Sequence, residues 1–369
     1  MKRILYLSRG GSISGSQRQI YYVVTNLDRK RYEPIVVCPN GGQFVDQLRN
    51  HGITTHVFTL RSWRKFPACA YRYLDAERLC MFARRHEVAL VHSSDLWLNG
   101  YLIWVAERLK VPSVLHVRTP IRPDEVRKHR CIRATSIIAI SRRVKRNLLS
   151  AGIGPEKIVE IDDAVDLEVF RPQGFPADVL RRDFSPTGQV LVGVVGRINP
   201  LKRQLAFVQA AERITSDFKR NVTFFVVGEI RSRSYFEKIS RFVGKNGLKR
   251  RVFFTGRRSD IAEVLSSLDI LVSLSGGSVM FEGMACGKPV VSAGFSSNED
   301  SVHIQNGRTG FLVTSRGISE LVEVLIRLID NEELRKQIGK QGRKWAENKL
   351  SHVGIVTKTQ CLYEQLLQS

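Results

Sequence analysis

The sequence predicts an α/β fold with two doubly wound, Rossmann-like domains facing each other across a cleft. Short, continuous apolar runs alternate with longer helical patterns, which is typical of parallel strands covered by helices on both faces. This pattern starts twice along the chain, at Ile4 and again at Val190. The 369 residues suffice for two domains of ordinary size, and a hydrophobic content of 43% excludes wholesale disorder.

The predicted strands are short apolar runs, and most are followed by a turn or a helical pattern. In chain order they cover residues 4–7, 35–38, 89–92, 113–117, 137–140, 190–195, 223–227, 252–255, 270–272, 289–292 and 311–313. Helical spacing of apolar residues predicts helices between these strands and after the last of them. The helices cover residues 17–26, 101–109, 142–149, 204–214, 235–243, 279–286, 318–330, 332–350 and 354–367.

Proline and glycine mark the predicted boundary between the two domains. The segment 173–188 is rich in both residues and is predicted to be a linker. We therefore expect an N-terminal domain over 1–172, a second domain over 189–350, and a C-terminal helix over 351–369 that packs back on the first domain. Ligands of open α/β sheets bind outside the carboxyl ends of the strands, so tandem domains predict one cleft with a substrate from each side.

The net charge of +23 predicts a polyanionic partner, either nucleic acid, an anionic membrane surface or a phosphate-rich substrate. We expect no nucleic-acid partner, because the sequence contains no recognisable nucleic-acid-reading motif. The 6 cysteines are scattered without a C-x-x-C pair, which favours a reducing compartment over a zinc ribbon or a disulfide framework. No apolar run approaches the roughly 20 residues of a membrane-spanning helix. The N-terminus lacks a signal-peptide pattern, so we expect a cytoplasmic protein.

A glycine-rich loop over residues 10–17 follows the first predicted strand and opens the first predicted helix. The backbone N–H groups of such a loop and the helix N-terminus can bind a phosphate. A turn that simply requires glycine would leave the same pattern in the sequence. The spacing departs from the G-x-G-x-x-G fingerprint, so the loop is not a dinucleotide-binding motif.

The second domain carries two cations and a carboxylate in comparable positions. Arg197 closes its first strand and Lys202 lies about one helical turn further on, so the two side chains can converge on one diphosphate. Two solvated surface charges would look the same. Glu282 lies about one turn inside a helix that follows a Ser/Gly loop, among apolar residues. It could accept hydrogen bonds from ribose hydroxyls or interact with the helix dipole.

Taken in order and with their spacing, the motifs resemble those of the retaining glycosyltransferases of the GT-B fold, in particular family four (glycosyltransferase group 1). The resemblance covers nearly the whole chain. The matching motifs are the loop through Gly15 and residues 90–93, 112–118, 138–141, 161–172, 195–197 with Lys202, 226–229, 282–291 and 306–313.

This resemblance implies a nucleotide-sugar donor held mainly by the second domain and an acceptor held mainly by the first. The catalytic residues it implies are His116, near the reacting carbon of the donor sugar, with Arg197 and Lys202 on the donor diphosphate. The donor-binding residues it implies are Gly15, Gly276, Gly277, Ser278, Val279, Glu282 and Arg257, the last near the base. It also implies a reaction that retains the anomeric configuration without a cofactor. We expect no metal, and the sequence contains no Asp-x-Asp motif that would hold one across a diphosphate.

One position departs from the family pattern. The family usually has a first glutamate, which binds sugar hydroxyls, eight positions before the one matched by Glu282, and this chain has Leu274 there. A leucine cannot accept a hydrogen bond from a hydroxyl group. Three explanations remain open: the donor sugar is held differently, the local register shifts around Ser275 and Gly276, or transfer is impaired while nucleotide binding survives.

Two stretches of the first domain are strongly basic or combine cations with aromatic residues. Residues 118–146 contain ten arginines and lysines against two acidic residues, and the runs 61–66 and 71–73 interleave cations with aromatic rings. Such segments can lie at an anionic bilayer surface, although an ordinary basic surface would have the same composition. We expect a glycan or lipid-linked, anionic acceptor at the cytoplasmic face of the membrane, with the protein peripheral on that face. The residues predicted on this side are Arg118, Arg122, Trp63, Arg64 and Lys65.

Other functions remain open beside the glycosyltransferase. A nucleotide-sugar epimerase would use the same fold and the same donor, and a turnover assay without acceptor would separate the two. A nucleotide-sugar-binding protein with reduced catalysis is a further alternative, and Leu274 is the residue that favours it. The sequence does not identify the base, the sugar or the acceptor.

Overall fold

The computed structural model describes residues 1–11, 15–119, 121–172, 178–186, 190–293, 303–313 and 317–368. These residues form two compact units. The first unit comprises Met1–Ala164 and His352–Ser369, and the second comprises Val165–Ser351. Each unit is built on one parallel sheet, so the predicted pair of Rossmann-like domains is confirmed.

The first unit has seven parallel strands. They are β1 (Lys2–Leu7), β2 (Tyr32–Cys38), β3 (Thr54–Val57), β4 (Val88–Ser93), β5 (Ser113–Val117), β6 (Ser136–Ala139) and β7 (Ile158–Glu160). The helices between them are α1 (Gly15–Asn26), α2 (Gln43–Asn50), α3 (Arg72–Arg85), α4 (Asn99–Leu109), α5 (Pro123–Lys128) and α6 (Arg142–Ser150). Their spatial order is β3-β2-β1-β4-β5-β6-β7, which is the doubly wound order with one added strand.

The second unit has six parallel strands. They are β8 (Val190–Val195), β9 (Val222–Val227), β10 (Val252–Gly256), β11 (Ile270–Ser273), β12 (Val290–Ser292) and β13 (Phe311–Leu312). Its helices are α7 (Val179–Phe184), α8 (Gln204–Ser216), α9 (Arg233–Lys245), α10 (Ile261–Ser267), α11 (Ser278–Ala285), α12 (Ile318–Asp330) and α13 (Glu332–Lys349). The spatial order is β10-β9-β8-β11-β12-β13. As in the first unit, the first strand lies inside the sheet and later strands are added on both sides of it. Helix α14 (His352–Gln368) belongs to the first unit and packs on α1.

Most strands have apolar residues in succession because both faces of each sheet are covered. In β1, Leu5 and Leu7 enter a core with α3, α4 and α6, whereas Ile4 and Tyr6 enter a second core with α1, α2 and α14. The same alternation holds in the second unit, where α8, α9 and α12 cover one face and α7, α10, α11 and α13 cover the other. Successive side chains of each strand point to opposite faces of the sheet and therefore reach two separate cores.

The boundary between the units differs from the predicted one. The backbone N–H of Val165 donates to the carbonyl of Leu350 at 2.8 Å, and Phe170 is buried in the core of the second unit. Helix α7, which packs on α10, lies inside the segment predicted as a linker. The described residues of this segment therefore belong to the second unit. Residues 12–14 of the glycine-rich loop, and 173–177 and 187–188 of the predicted linker, lie outside the described residues.

No helix in the described part of the chain is long and apolar enough to cross a membrane.

Candidate functional site

Two loops of the second unit leave neighbouring strands at the carboxyl edge of its sheet. β8 and β11 pair in parallel, so the loop that begins at Gly196 and the loop after Ser273 leave the sheet side by side. The first loop carries Arg197 and Lys202, and the second leads into α11. This edge is where open α/β sheets bind their ligands. The structure thus brings together the two motifs that the sequence predicts for the donor.

Lys202 ends a short helical turn, Pro200–Lys202, that is capped by Asn199. The Asn199 Oδ1 accepts a hydrogen bond from the backbone N–H of Lys202 at 3.2 Å. The side chain then passes Gly196 and reaches Gly277, where its Nζ lies 3.6 Å from the position that a Cβ would occupy. The amine of Lys202 is therefore located at the start of α11.

The amine of Lys202 has no carboxylate counter-ion among the residues that the structure describes. Burial lowers the pKa of Lys202, and the nearby positive charge of Arg197 lowers it further. Within the described ranges neither Lys202 nor the exposed Arg197 forms an ion pair with a carboxylate. Two cations that repel each other and lack a counter-charge form a site for an anion.

The start of α11 is open to a ligand. Gly276 and Gly277 have φ values of +64° and +100°, in the left-handed region that favours glycine, and α11 begins at Ser278. No side chain caps this helix and its first turn holds no acidic residue. The backbone N–H groups of Ser278 and Val279 therefore belong to the part of the helix that favours an anion. The predicted contacts of Gly276, Gly277, Ser278 and Val279 with phosphate are consistent with this geometry and remain predictions.

Glu282 and Arg257 occupy different environments. Glu282 lies one turn inside α11 and is buried, next to Phe281 in the core cluster on that face of the sheet. A buried carboxylate requires polar partners, so the predicted ribose contact is chemically possible at this position. Arg257 follows β10 directly and is exposed at the same carboxyl edge as Arg197.

Leu274, the departure from the family pattern, is a core residue. Its side chain is 3% exposed and belongs to the same hydrophobic cluster as Val272 and Val291. The loop beyond it is polar and compact: Ser273 Oγ donates to the carbonyl of Gly276 at 3.2 Å, and Ser275 is exposed. The position of the missing glutamate therefore contributes packing to the second unit.

His116 is the penultimate residue of β5, the fifth strand of the first unit. It is buried at the carboxyl edge of β5, and its Nε2 lies 3.4 Å from Nη1 of Arg118. Arg118 forms a nearly buried ion pair with Asp163. Burial lowers the pKa of His116 well below its ordinary value, and the charge of Arg118 adds to this, so the imidazole is neutral. The sequence predicts Arg118 on the acceptor or membrane side. Because its side chain is nearly buried, the acceptor side is the better match of the two.

A second histidine lies behind His116. The rings of His92 and His116 are 5.8 Å apart, and His92 Nδ1 is 2.5 Å from the hydroxyl of Tyr363 on α14. That hydroxyl is also 2.8 Å from the hydroxyl of Tyr6. Burial lowers the pKa of His92 to about 3. The C-terminal helix thus fixes the ring against which His116 lies.

A cavity of about 460 Å³ opens at the carboxyl ends of β1 to β4. Arg9 and Arg61 line it, each held by a carboxylate: Arg9 Nε lies 2.7 Å from Asp95, and Arg61 Nη1 lies 2.7 Å from the fully buried Asp75. Trp97 forms part of the wall, with the guanidinium of Arg9 located 5.3 Å from its ring centroid. Fixed cations beside an exposed indole suit an anionic sugar.

The remaining predicted residues lie around this edge of the first unit. Gly15 is the first residue of α1, and Arg122 is an exposed residue at the start of α5, paired with Asp124. Arg64 and Lys65 place their cations 5.8 Å and 5.4 Å from the Trp97 centroid. Trp63 is packed within an aromatic cluster and does not project as an anchor into solvent.

Sequence reasoning missed Arg9, Arg61 and Trp97. Arg9 is the second residue after β1, just as Arg197 is the second residue after β8, so this parallel could have identified it. Arg61 follows β3, which the apolar pattern did not predict. The role of Tyr363 left no signal, because its partners are distant in the sequence. The described residues contain no group of three or more side chains arranged to hold a metal ion.

Comparison with known proteins gives two family matches that together cover most of the chain. Residues 13–169 match the model described as Glycosyltransferase Family 4, and residues 179–345 match the model described as Glycosyl transferases group 1. The first match corresponds to most of the first unit, and the second to most of the second unit.

Individual relatives are similar over nearly their full length. The chain is 24% identical to the UDP-Gal:alpha-D-GlcNAc-diphosphoundecaprenol alpha-1,3-galactosyltransferase of Escherichia coli, over 95% of this chain and 94% of that protein. It is 22% identical to the N-acetyl-alpha-D-glucosaminyl L-malate synthase of Bacillus anthracis, over 85% and 84%. Among solved structures, Anabaena Alr3699/HepE in complex with UDP and glucose has a TM-score of 0.87 at 22% identity, covering 99% of this chain and 100% of that one.

Proposed function

Because the chain belongs to the group 1 glycosyltransferases and has their GT-B fold, we propose that it transfers a sugar from a nucleoside diphosphate to an anionic acceptor. The family makes it a transferase enzyme. One observation carries the donor half of the proposal. Lys202 and Arg197 have no carboxylate partner among the described residues, and the amine of Lys202 lies at the uncapped start of α11.

These groups suit the chemistry of the leaving group. During transfer the bond between C1 of the sugar and the diphosphate oxygen breaks, and negative charge accumulates on the departing diphosphate. A hydroxyl oxygen of the acceptor bonds to C1 on the same face, so the anomeric configuration is retained, and its proton leaves with the departing phosphate. Arg197, Lys202 and the N–H groups of α11 stabilise the developing charge without reorganising. Because they supply this positive charge, we propose that no metal is required.

UDP-sugars are the first donors to test. The relative in Escherichia coli is described as using UDP-Gal, and the Anabaena structure as holding UDP and glucose. Glu282 is the candidate partner for the ribose hydroxyls, and Arg257 for the base. Leu274 offers no acceptor to the sugar hydroxyls, so we propose that backbone groups and Ser275 bind them instead. His116 remains the candidate for the sugar near its reacting carbon, as a neutral hydrogen-bonding group.

An anionic acceptor fits both the relatives and the first unit. The Escherichia coli relative is described as acting on a diphosphate-linked sugar, and the product of the Bacillus relative contains malate, a dicarboxylate. The cavity with Arg9, Arg61 and Trp97 offers two fixed guanidinium groups and an indole for such a molecule. We propose that this cavity takes the acceptor, and that the protein meets it as a peripheral protein at the cytoplasmic face of a membrane.

Steady-state transfer kinetics test the donor half. Arg197→Ala and Lys202→Ala should each lower kcat/KM for the donor by at least about tenfold, roughly 1.4 kcal/mol of transition-state stabilisation. Arg233→Ala is the matched control, since it removes an exposed cation from α9 of the same unit and should leave kcat/KM unchanged. Wild-type rates in both site variants would refute the proposal.

A further inference from the structure

A second cavity, of about 250 Å³, lies in the first unit beside α4. Its wall carries five cations from three segments of the chain and one carboxylate, Glu107, which Arg133 neutralises at 2.6 Å. The cations are Arg64, Arg72, Lys128, Arg130 and Arg133. The cavity therefore has a large surplus of positive charge, and the transfer reaction proposed above does not use it.

Two of these guanidinium groups have unused donors inside the protein. Arg64 Nη1 and Arg72 Nε are both buried, and neither has a hydrogen-bond partner among the described residues. Arg72 Nη1 donates to the carbonyl of Trp63 at 3.0 Å and Nη2 donates to the hydroxyl of Tyr73 at 3.3 Å, and both acceptors are uncharged. A buried N–H group without a partner is costly unless a ligand or water meets it.

The partner of Arg64 is also uncharged. His129 Nδ1 lies 3.0 Å from the carbonyl of Leu96 and must donate to it, so His129 Nε2 accepts from Arg64 Nη2 at 2.9 Å. This pattern requires a neutral imidazole. Arg64 is thus held in position by a base that leaves its charge uncompensated. A fixed guanidinium with a free N–H is suited to bind an anionic oxygen.

Aromatic rings give the cavity a preformed apolar wall. Trp63 and Tyr73 are 6.0 Å apart, and Tyr73 and Trp104 are 5.0 Å apart. Trp63 lies so close to Gly100 that a Cβ there would be 2.2 Å from the indole. Any larger residue at Gly100 would displace the ring, so Gly100 is part of how the wall is built. Rings beside cations suit an anionic group attached to a carbon skeleton.

Exposed apolar side chains flank the same segments. Phe66 is 87% exposed and follows Arg64 closely, Leu74 is 60% exposed and follows Tyr73, and Ile132 is 56% exposed between Arg130 and Arg133. Large apolar side chains at such exposure beside cations are typical of surfaces that contact a bilayer. This arrangement favours a lipid headgroup over a fully soluble anion.

We propose that this cavity binds the phosphate ester of a membrane lipid headgroup, with Arg64 and Arg72 on the phosphate and Trp63 and Tyr73 against its carbon portion. The site adjoins the proposed acceptor cavity, because Trp97 lines both cavities. It deepens the proposed function, since it rests on the expectation that the protein works at a membrane face.

Vesicle co-sedimentation of the full chain tests the site. We expect binding to phosphatidylcholine vesicles that contain phosphatidylglycerol and much weaker binding to phosphatidylcholine alone. The double variant R64Q/R72Q should weaken binding to the anionic vesicles by about tenfold, because two charge-assisted contacts are lost. R108Q is the matched control. It removes a cation that lies 4.9 Å from the Trp104 centroid and pairs with Glu77, outside the cavity wall, and should change the affinity by about twofold at most.

Binding of soluble glycerol 3-phosphate, measured by tryptophan fluorescence, distinguishes a lipid headgroup from a free phosphate ester as the source of the phosphate. Weak binding that R64Q/R72Q abolishes supports the headgroup site, whereas binding as tight as that to the vesicles would overturn the lipid assignment in favour of a free phosphate ester.

Equal losses of vesicle binding for R64Q/R72Q and R108Q would overturn the site itself. The charge-preserving R64K and R72K, with predicted intermediate losses, replace the double variant if it does not fold. Donor affinity measured in parallel distinguishes failure of this site from failure of the proposed function.

Discussion

Leu274 stands at the position where the family usually has a glutamate, and its side chain is packed with Val272 and Val291 in the core of the second unit. A single residue thus removes a carboxylate from the loop that we propose to bind the donor sugar. The neighbouring Ser275 is exposed on the same loop. The two positions therefore differ in burial, although they are adjacent in the sequence, and this difference can be tested directly.

Leu274→Glu should lower the free energy of unfolding by at least about 3 kcal/mol, because the new carboxylate would be buried in an apolar core. The matched variant Ser275→Glu should change it by about 0.5 kcal/mol or less, since that position is exposed. Urea denaturation measures both values. Equal costs for the two variants would mean that residue 274 faces the donor loop and that the missing glutamate could be restored.

The pair of buried histidines makes the first unit sensitive to acid. Burial holds the pKa of His92 at about 3, compared with 6.5 for an exposed histidine. Between these pH values the unfolded chain binds a proton that the folded chain does not. The free energy of unfolding therefore falls as the pH drops below about 6.5, and His92 alone accounts for a loss of about 2 kcal/mol between about pH 7 and pH 5.

His92→Gln should flatten this dependence, because the variant lacks the titrating group. Unfolding free energies of wild type and variant at several pH values give the two slopes. His51→Gln, which removes an exposed histidine of the same unit, should keep the wild-type slope. A slope that does not change in His92→Gln would contradict the assignment.

At the scale of elements, α14 completes the first unit although it is the last segment of the chain. It contributes Ile355, Leu362 and Tyr363 to the core that contains β1. The Tyr363 hydroxyl lies between His92 and Tyr6, so the helix supplies polar contacts as well as apolar area. The position of His116 depends on this helix through the ring of His92.

Tyr363→Phe should lower the free energy of unfolding by about 1–3 kcal/mol, because it leaves His92 Nδ1 buried without a partner. Thermal or urea unfolding measures the change, and Tyr71→Phe, at an exposed tyrosine of the same unit, is the control. We also expect Tyr363→Phe to lower kcat for transfer through its effect on His116. A variant as stable as the control would show that the hydroxyl contacts contribute nothing.

The elements that the sequence predicts best are those with a clear apolar pattern. The predicted bounds of β5, β8 and α12 agree with the structure to the residue. β3 and β7 gave no such signal, because they are short and carry Thr54, Thr55 or Glu160. The donor motifs are local in sequence and could be predicted. The proposed acceptor cavity could not be predicted, because Arg61 follows β3, a strand without an apolar signal, and Trp97 belongs to no recognisable motif.

At the scale of the whole molecule, the surplus positive charge lies at more than one proposed binding site. In the second unit it lies in Arg197 and Lys202 at the donor loops. In the first unit it lies in the cavity with Arg64 and Arg72, whereas Arg9 and Arg61 of the other cavity are each paired with a carboxylate. A net charge of +23 follows from a protein whose proposed donor, acceptor and membrane partner are all anionic.

The donor diphosphate is central to this account, and calorimetric titration of the full chain with UDP and with uridine tests it most directly. We predict that UDP binds more tightly than uridine. Lys202→Ala should lower the affinity for UDP by about tenfold and leave the affinity for uridine unchanged. Equal affinities of the wild type for UDP and uridine, or a Lys202→Ala variant that binds UDP as tightly as the wild type, would contradict the assignment.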